Sequence, residues 1–209
     1  MTLKMDRTPS SKREQILVAA ELALLEKGVT ATSIEEIAAE VGISKNGFFY
    51  HFRNKDELVR GVLERNLKLD EEWLEGLFAQ ADRTTNDPLI SFLTFIDLLA
   101  REAEGLSDFH PGCITSVCCY QDRWLSNEVS EAGTRVLLFW RDRLLERLQL
   151  IAKVHQPKID ADLEDLAIML TALLDGTITY SKVVKQKEVL ARQVRLYGEL
   201  VERAFSHRR

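Results

Sequence analysis

Proline and glycine are scarce, with four and ten in 209 residues. Stretches that alternate apolar and polar residues are few as well, so little is left for strands and hairpins and the composition favours an all-helical fold. Cysteine is confined to Cys113, Cys118 and Cys119. An odd cluster is no disulfide framework, which points to a reducing compartment. No apolar core follows Lys4 and Arg7 at the start of the chain, and no run reaches the roughly 18 apolar residues of a membrane span. A cytoplasmic protein is expected. The four histidines, His51, His110, His155 and His207, are scattered. There is no His-x-x-x-His pair, glycine-rich phosphate loop or nucleophile elbow, so the reading is not an enzyme and includes neither metal nor cofactor.

What is present is enough apolar material, 45%, to bury a full core. The net charge of −5 argues against indiscriminate coating of nucleic acid. The charge is uneven, however. Residues 1–55 carry eight Lys/Arg against seven Asp/Glu, and the remainder carries 20 against 26. A slightly basic head on an acidic body suits a small DNA-reading module joined to a larger part that does not touch DNA.

Helix signals recur along the head. Ser11 and Glu14 form a capping box before the stripe Ile16, Ala20, Ala23 and Leu24, and Gly28 marks the end of that helix. Ser33 and Glu36 form a second capping box before Ile34, Ile37, Ala38 and Val41. Gly42 breaks this helix, and Ser44 restarts the chain as an N-cap for a helix of about two turns from Lys45 to Phe52. Asn54 and Glu57 cap the next helix, predicted to run to about Ala79. Beyond it, Asn86-Asp87-Pro88 starts a helix carrying Leu89, Phe92, Leu93, Ile96 and Leu99, and a short helix holds the cysteines. Long helical patterns cover about 127–154, 162–184 and 188–206.

A short helix, a glycine turn and a second short helix make a helix-turn-helix, whose second helix enters the major groove. Such a helix needs an apolar face to seat it, here Phe48 and Phe52 with Ile43, and a polar face to meet DNA, here Lys45, Asn46, Tyr50 and His51.

The stretch from Thr32-Ser33-Ile34-Glu35-Glu36-Ile37-Ala38 through Val41-Gly42-Ile43-Ser44-Lys45 to Tyr50-His51-Phe52-Arg53-Asn54-Lys55-Asp56-Glu57-Leu58 resembles the N-terminal domain of the tetracycline-repressor (TetR/AcrR) family. The specific resemblance covers roughly residues 10–60; beyond them it is one of architecture. It implies an all-α chain of about nine helices, with a three-helix DNA-binding domain over 10–56 and a larger effector-binding and dimerisation domain over 57–209. Implied phosphate contacts are Thr32 or Ser33, Ser44, Tyr50, His51 and Lys55. Implied base readers are Lys45, suited to guanine, and Asn46, suited to adenine. Two departures stand out. Phe49 replaces an aromatic hydroxyl but can pack on a thymine methyl, and Gly47 supplies no side chain where a base-contacting one is common.

In the body, candidate effector-binding residues are Trp73, Phe92, Phe95, Ile96, Cys113, Val117, Gln121, Trp124 and Trp140; each is otherwise an ordinary core residue. The candidate dimer interface is Leu166, Leu170, Leu173, Leu174, Ile178, Tyr197, Leu200, Val201 and Ala204, where only the apolar surface not used by the single chain can dimerise. The function expected is a homodimeric regulator of transcription, a repressor released from a palindromic double-stranded operator by a small molecule. One alternative is a regulator that senses electrophiles or oxidants through Cys113 in the first turn of a helix, with three buried small hydrophobes as the plainer account of the cysteines. A weak cluster of the cysteines with His110 leaves metal sensing as another, and a helical protein-interaction adaptor is the reading from a different class.

Overall fold

The computed structural model describes residues 11–120 and 126–206. Among them are nine helices and no strand: α1 (Lys12–Ala31), α2 (Ile34–Glu40), α3 (Lys45–His51), α4 (Lys55–Asp82), α5 (Pro88–Glu104), α6 (Ile114–Cys119), α7 (Asn127–Val154), α8 (Leu163–Val184) and α9 (Val189–Phe205). The all-α expectation holds, and the ends follow the chemistry of the sequence. Ser11, Ser33 and Ser44 each accept a hydrogen bond from the amide three residues on, at 3.2, 3.2 and 3.1 Å. Asp87 accepts from Leu89 N at 2.8 Å with Pro88 in the first turn. Helix α1 is interrupted where expected, at Gly28, whose φ of 80° suits glycine.

The chain packs as two compact units. Of the described residues, the first comprises 11–70, 111–120 and 126–137, the second 71–110 and 138–206. The expected DNA-binding stretch 10–56 lies inside the first unit, together with α6 and the start of α7.

In the first unit one core joins α1, α2, α3 and α4 to α6 and α7. Ile16, Leu17, Ala20 and Leu24 from α1 meet Ile37 and Ala38 from α2, Phe48 from α3 and Phe52 just after it. Leu58, Val59, Val62 and Leu63 from α4 continue the core to Ile114 and Cys118 of α6 and Val129 and Ala132 of α7. Arg65 of α4 reaches α1 through ion pairs with Glu14 and Glu21, the latter at 2.7 Å. Burial is the main influence on Glu21 and raises its pKa, while the Arg65 charge pulls it back.

In the second unit α9 packs along α5 and α8. A Cβ built on Gly198 would fall 2.9 Å from Ile96 Cγ2, so this glycine permits the close approach of α9 to α5. Tyr197 is buried and donates its hydroxyl to Leu166 O at 2.9 Å. Phe78 and Phe95 stack at 4.3 Å between centroids. Helix α8 is, by length and composition, long and apolar enough to cross a membrane, which the sequence reading did not anticipate. Its apolarity is spread over two faces. Ala167, Leu170, Leu174 and Ile178 face inward and are buried, while Ile168, Tyr180 and Val183 are exposed.

Candidate nucleic-acid interface

The turn between α2 and α3 is built by backbone hydrogen bonding. Ile43 N donates to Ala38 O at 2.9 Å and Gly42 N to Ala39 O at 3.0 Å, the paired bonds of a Schellman ending. Gly42 has φ 70°, a left-handed conformation that a side chain resists. Two residues later Ser44 caps α3, so the second helix starts at once and in a fixed direction.

Helix α3 presents two faces. Phe48 and Phe52 are buried against the core, their rings 5.7 Å apart, and the guanidinium of Arg13 stands 4.8 Å from the Phe52 ring. The opposite side exposes Lys45, Asn46, Phe49 and Tyr50, with Tyr50 86% exposed. An exposed tyrosine and phenylalanine on a seven-residue helix are apolar surface that solvent does not favour and that a nucleic-acid groove can cover. Gly47 is half-buried and helical; a Cβ placed there would lie 3.5 Å from Ile43 Cβ and Ser44 Oγ, ordinary contact distances. Neither backbone angle nor packing requires glycine at this position.

The expected phosphate anchors separate into two groups. Ser33 and Ser44 are exposed, and because each Oγ only accepts in its cap, its proton remains free to donate to an anion. Tyr50 is exposed, and His51 and Lys55 are half-buried beside it in sequence. Desolvation holds the Lys55 ammonium pKa below the ordinary lysine value, against the pull of Asp56. Thr32 is different. It is buried, and its hydroxyl donates to Gly28 O at 2.8 Å, tying off the break in α1. Of the pair Thr32 or Ser33, the structure presents Ser33 to solvent.

One partner escaped the sequence reading. Glu35 of α2 holds Lys45 Nζ at 2.5 Å, and this hydrogen bond keeps the Glu35 carboxyl pKa below the usual range. A neighbouring pair, Lys27 with Glu36, ties α1 to α2. The Glu35–Lys45 pair spans a turn, so no helical or strand periodicity announces it.

In the body, the candidate effector residues fall in different units. Phe92, Phe95, Ile96 and Trp140 are buried and Trp73 half-buried in the second unit, with the two indoles 6.0 Å apart. Cys113 and Val117, both half-buried, belong to the first unit. Gln121 and Trp124 lie outside the described residues. Cys113 is the N-cap of α6 and makes no capping bond, Cys119 is exposed, and burial pushes the Cys118 thiol up to about 12. No group of three or more metal-ligating side chains is found among the described residues. Of the candidate interface residues, Leu170, Leu174, Ile178, Tyr197, Val201 and Ala204 are buried within the single chain. Leu166 and Leu173 are half-buried and Leu200 is exposed, alongside Ile168, Tyr180, Val183 and Leu196.

The family model described as bacterial regulatory proteins, tetR family, matches residues 16–62. The HTH-type transcriptional repressor KstR2 of Mycolicibacterium smegmatis is 32% identical over 81 residues, 39% of this chain and 38% of that one. The HTH-type transcriptional activator FasR of the same organism is 31% identical over 105 residues, 48% of this chain and 46% of that one. The matches thus span less than half the length of these curated relatives. A solved TetR-family transcriptional regulator from Agrobacterium tumefaciens shares the fold at a TM-score of 0.75 with 20% identity, covering 95% of this chain and all of that one. With a helix-turn-helix of this geometry on residues that match the family's own, residues 16–62 form an N-terminal domain of the tetR family of bacterial regulatory proteins, and the whole chain shares the fold of solved regulators of that name.

Proposed function

We propose that this chain is a sequence-specific DNA-binding regulator of transcription that acts as a homodimer on a palindromic operator and is released by a small molecule. The observation that carries the reading is α3 itself. Its apolar side is locked into the core by Phe48 and Phe52, while Lys45, Asn46, Phe49 and Tyr50 stand in solvent. Ser33, Ser44, Tyr50, His51 and Lys55 would fix the register on phosphates, and Lys45, Asn46 and Phe49 would meet base edges.

Dimerisation is supported by the surplus on the last two helices. Ile168, Tyr180 and Val183 on α8 and Leu196 and Leu200 on α9 are large apolar groups left exposed by the single chain. Two helices from each copy would close a four-helix contact, with Leu166 and Leu173 at its edge. Release by an effector is supported in the second unit by the indole N–H of Trp73, buried and without an acceptor, beside Trp140. The relatives bear both repressor and activator names; repression is proposed as the simpler outcome of occupying an operator.

Selection of bound fragments from the source genome tests this directly. The expected result is a palindromic consensus, with affinity falling by orders of magnitude between low and moderate salt. Binding that ignores sequence, or that is flat in salt, would overturn the reading in favour of a protein-interaction role.

A further inference from the structure

The first unit contains a partly open pocket of about 140 Å³ between α4, α6 and α7, floored by Leu63, Thr115 and Cys118 and rimmed by the exposed Cys119, Thr134 and Leu137. Its lining holds apolar side chains, thiols and hydroxyls, and no charged group. Thr115 is 4% exposed, and its Oγ1 makes no hydrogen bond. A buried hydroxyl without a partner is costly, so a stable fold does not leave one without reason. Gly133 adds to the same space. A Cβ there would sit 3.6 Å from Thr115 Cγ2, an ordinary contact, so packing does not demand glycine within a 28-residue helix where alanine is the better former. The absence of a side chain keeps the wall open.

We infer that this pocket is a binding site for a neutral single-ring molecule carrying one hydrogen-bonding oxygen, of the phenol class. The size follows from the volume, since an enclosed apolar cavity of about 150 Å³ accommodates benzene and this pocket of similar volume is open at its rim. Neutrality follows from a wall without charges. The oxygen follows from Thr115, whose hydroxyl can donate to it or accept from it. The consequence for DNA follows from the walls. Leu63 and Cys118 belong both to the pocket and to the core that seats Phe48 and Phe52. A ligand that shifts them alters the support of α3, so occupancy weakens DNA binding. This site belongs to the first unit and Trp73 to the second. Its binding step stands independently of the regulator reading, whereas its effect on DNA rests on that reading.

The experiment titrates the full chain with phenol and with benzene, reading thermal denaturation, and repeats the titration while following retention of a selected DNA fragment by fluorescence anisotropy. Three proteins are compared: wild type, Thr115→Val and Gly133→Leu, each checked for helical content. Phenol is expected to raise the melting temperature of the wild type and to weaken DNA retention. Thr115→Val, which keeps the shape and removes the hydroxyl, should lose about tenfold in phenol affinity while still taking benzene. Gly133→Leu should fill the space and bind neither. Equal phenol affinity in wild type and Thr115→Val, or phenol binding undiminished in Gly133→Leu, would overturn the assignment. Phenol binding with unchanged DNA retention would overturn the regulatory half. A chain that binds phenol but no DNA fragment at all would instead overturn the proposed function and leave the ligand site standing.

Discussion

Lys45, the first residue of α3, has its ammonium 2.5 Å from Oε1 of Glu35 on the preceding helix. Both side chains are more than half exposed, so the contact is screened and exchangeable. A lysine that reads guanine must first leave this carboxylate. Glu35→Gln should therefore tighten DNA binding several-fold at low salt and steepen the salt dependence, because a negative charge no longer competes with phosphate and base. Lys45→Ala should weaken selected DNA by roughly 5- to 150-fold, with less effect on random DNA. Anisotropy titrations across a salt series check both; an unchanged Glu35→Gln would show that the pair does not restrain Lys45.

Tyr50 and Asn46 separate the two jobs of α3. Tyr50→Phe removes the hydroxyl proposed to reach phosphate from the most exposed aromatic of the helix. It should weaken selected and random DNA alike. Asn46→Ala should relax preference at one position of each half-site, by about 1–3 kcal/mol of discrimination. Repeating the fragment selection with each variant distinguishes the outcomes.

Arg65 and Glu21 form a buried pair with unequal consequences. Arg65→Met leaves Glu21 and Glu14 facing one another and should cost about 3–5 kcal/mol in denaturant unfolding. Glu21→Gln should be neutral or stabilising at neutral pH. The sign follows from its raised pKa. The protonated form is the one the fold favours, so the contribution of Glu21 is fully present below its unfolded pKa and is lost as pH rises through the folded one. The advantage of Glu21→Gln over wild type should grow across that window and then level off.

Gly198 and Gly47 should respond oppositely to alanine. At 198 the new methyl meets Ile96 at 2.9 Å, and forcing α9 from α5 should cost about 1–3 kcal/mol. At 47 the methyl meets nothing closer than 3.5 Å, and better helix propensity should stabilise the fold by up to about 1 kcal/mol. If Gly47→Ala is more stable yet binds selected DNA less tightly, the glycine serves close approach to the groove.

The exposed leucines of α9 test the proposed dimer. Leu196→Glu with Leu200→Glu places charge on apolar surface that the single chain does not use. Sedimentation should show a shift toward monomer, with helical content retained and DNA affinity reduced.

Much of the helix-turn-helix was legible because its signals are local. A serine three residues before an amide it caps, a glycine at a left-handed turn and two phenylalanines four apart are short-range chemistry, and Ser44, Gly42, Phe48 and Phe52 occupy those roles. Thr32 was less legible than Ser33, because its hydroxyl answers to Gly28, whose interruption of α1 leaves a carbonyl within reach. In the body, apolar stripes at helical spacing predicted which residues are buried without saying against what. Leu170, Ile178, Tyr197 and Val201 satisfy the stripe by packing in their own chain, while Leu200 beside them does not.

The sequence alone therefore determined that the chain is helical, where its helices begin and which face of α3 is seated in the core, since caps, glycine turns and periodicity act within one or two turns of backbone. Only the tertiary structure decided that α6 and the start of α7 share the core beneath that helix, that Glu35 holds Lys45, and that Thr115 and Gly133 wall one pocket. Those relationships join residues far apart along the chain, and packing, which depends on the shape of every neighbour at once, leaves no periodic trace to read beforehand.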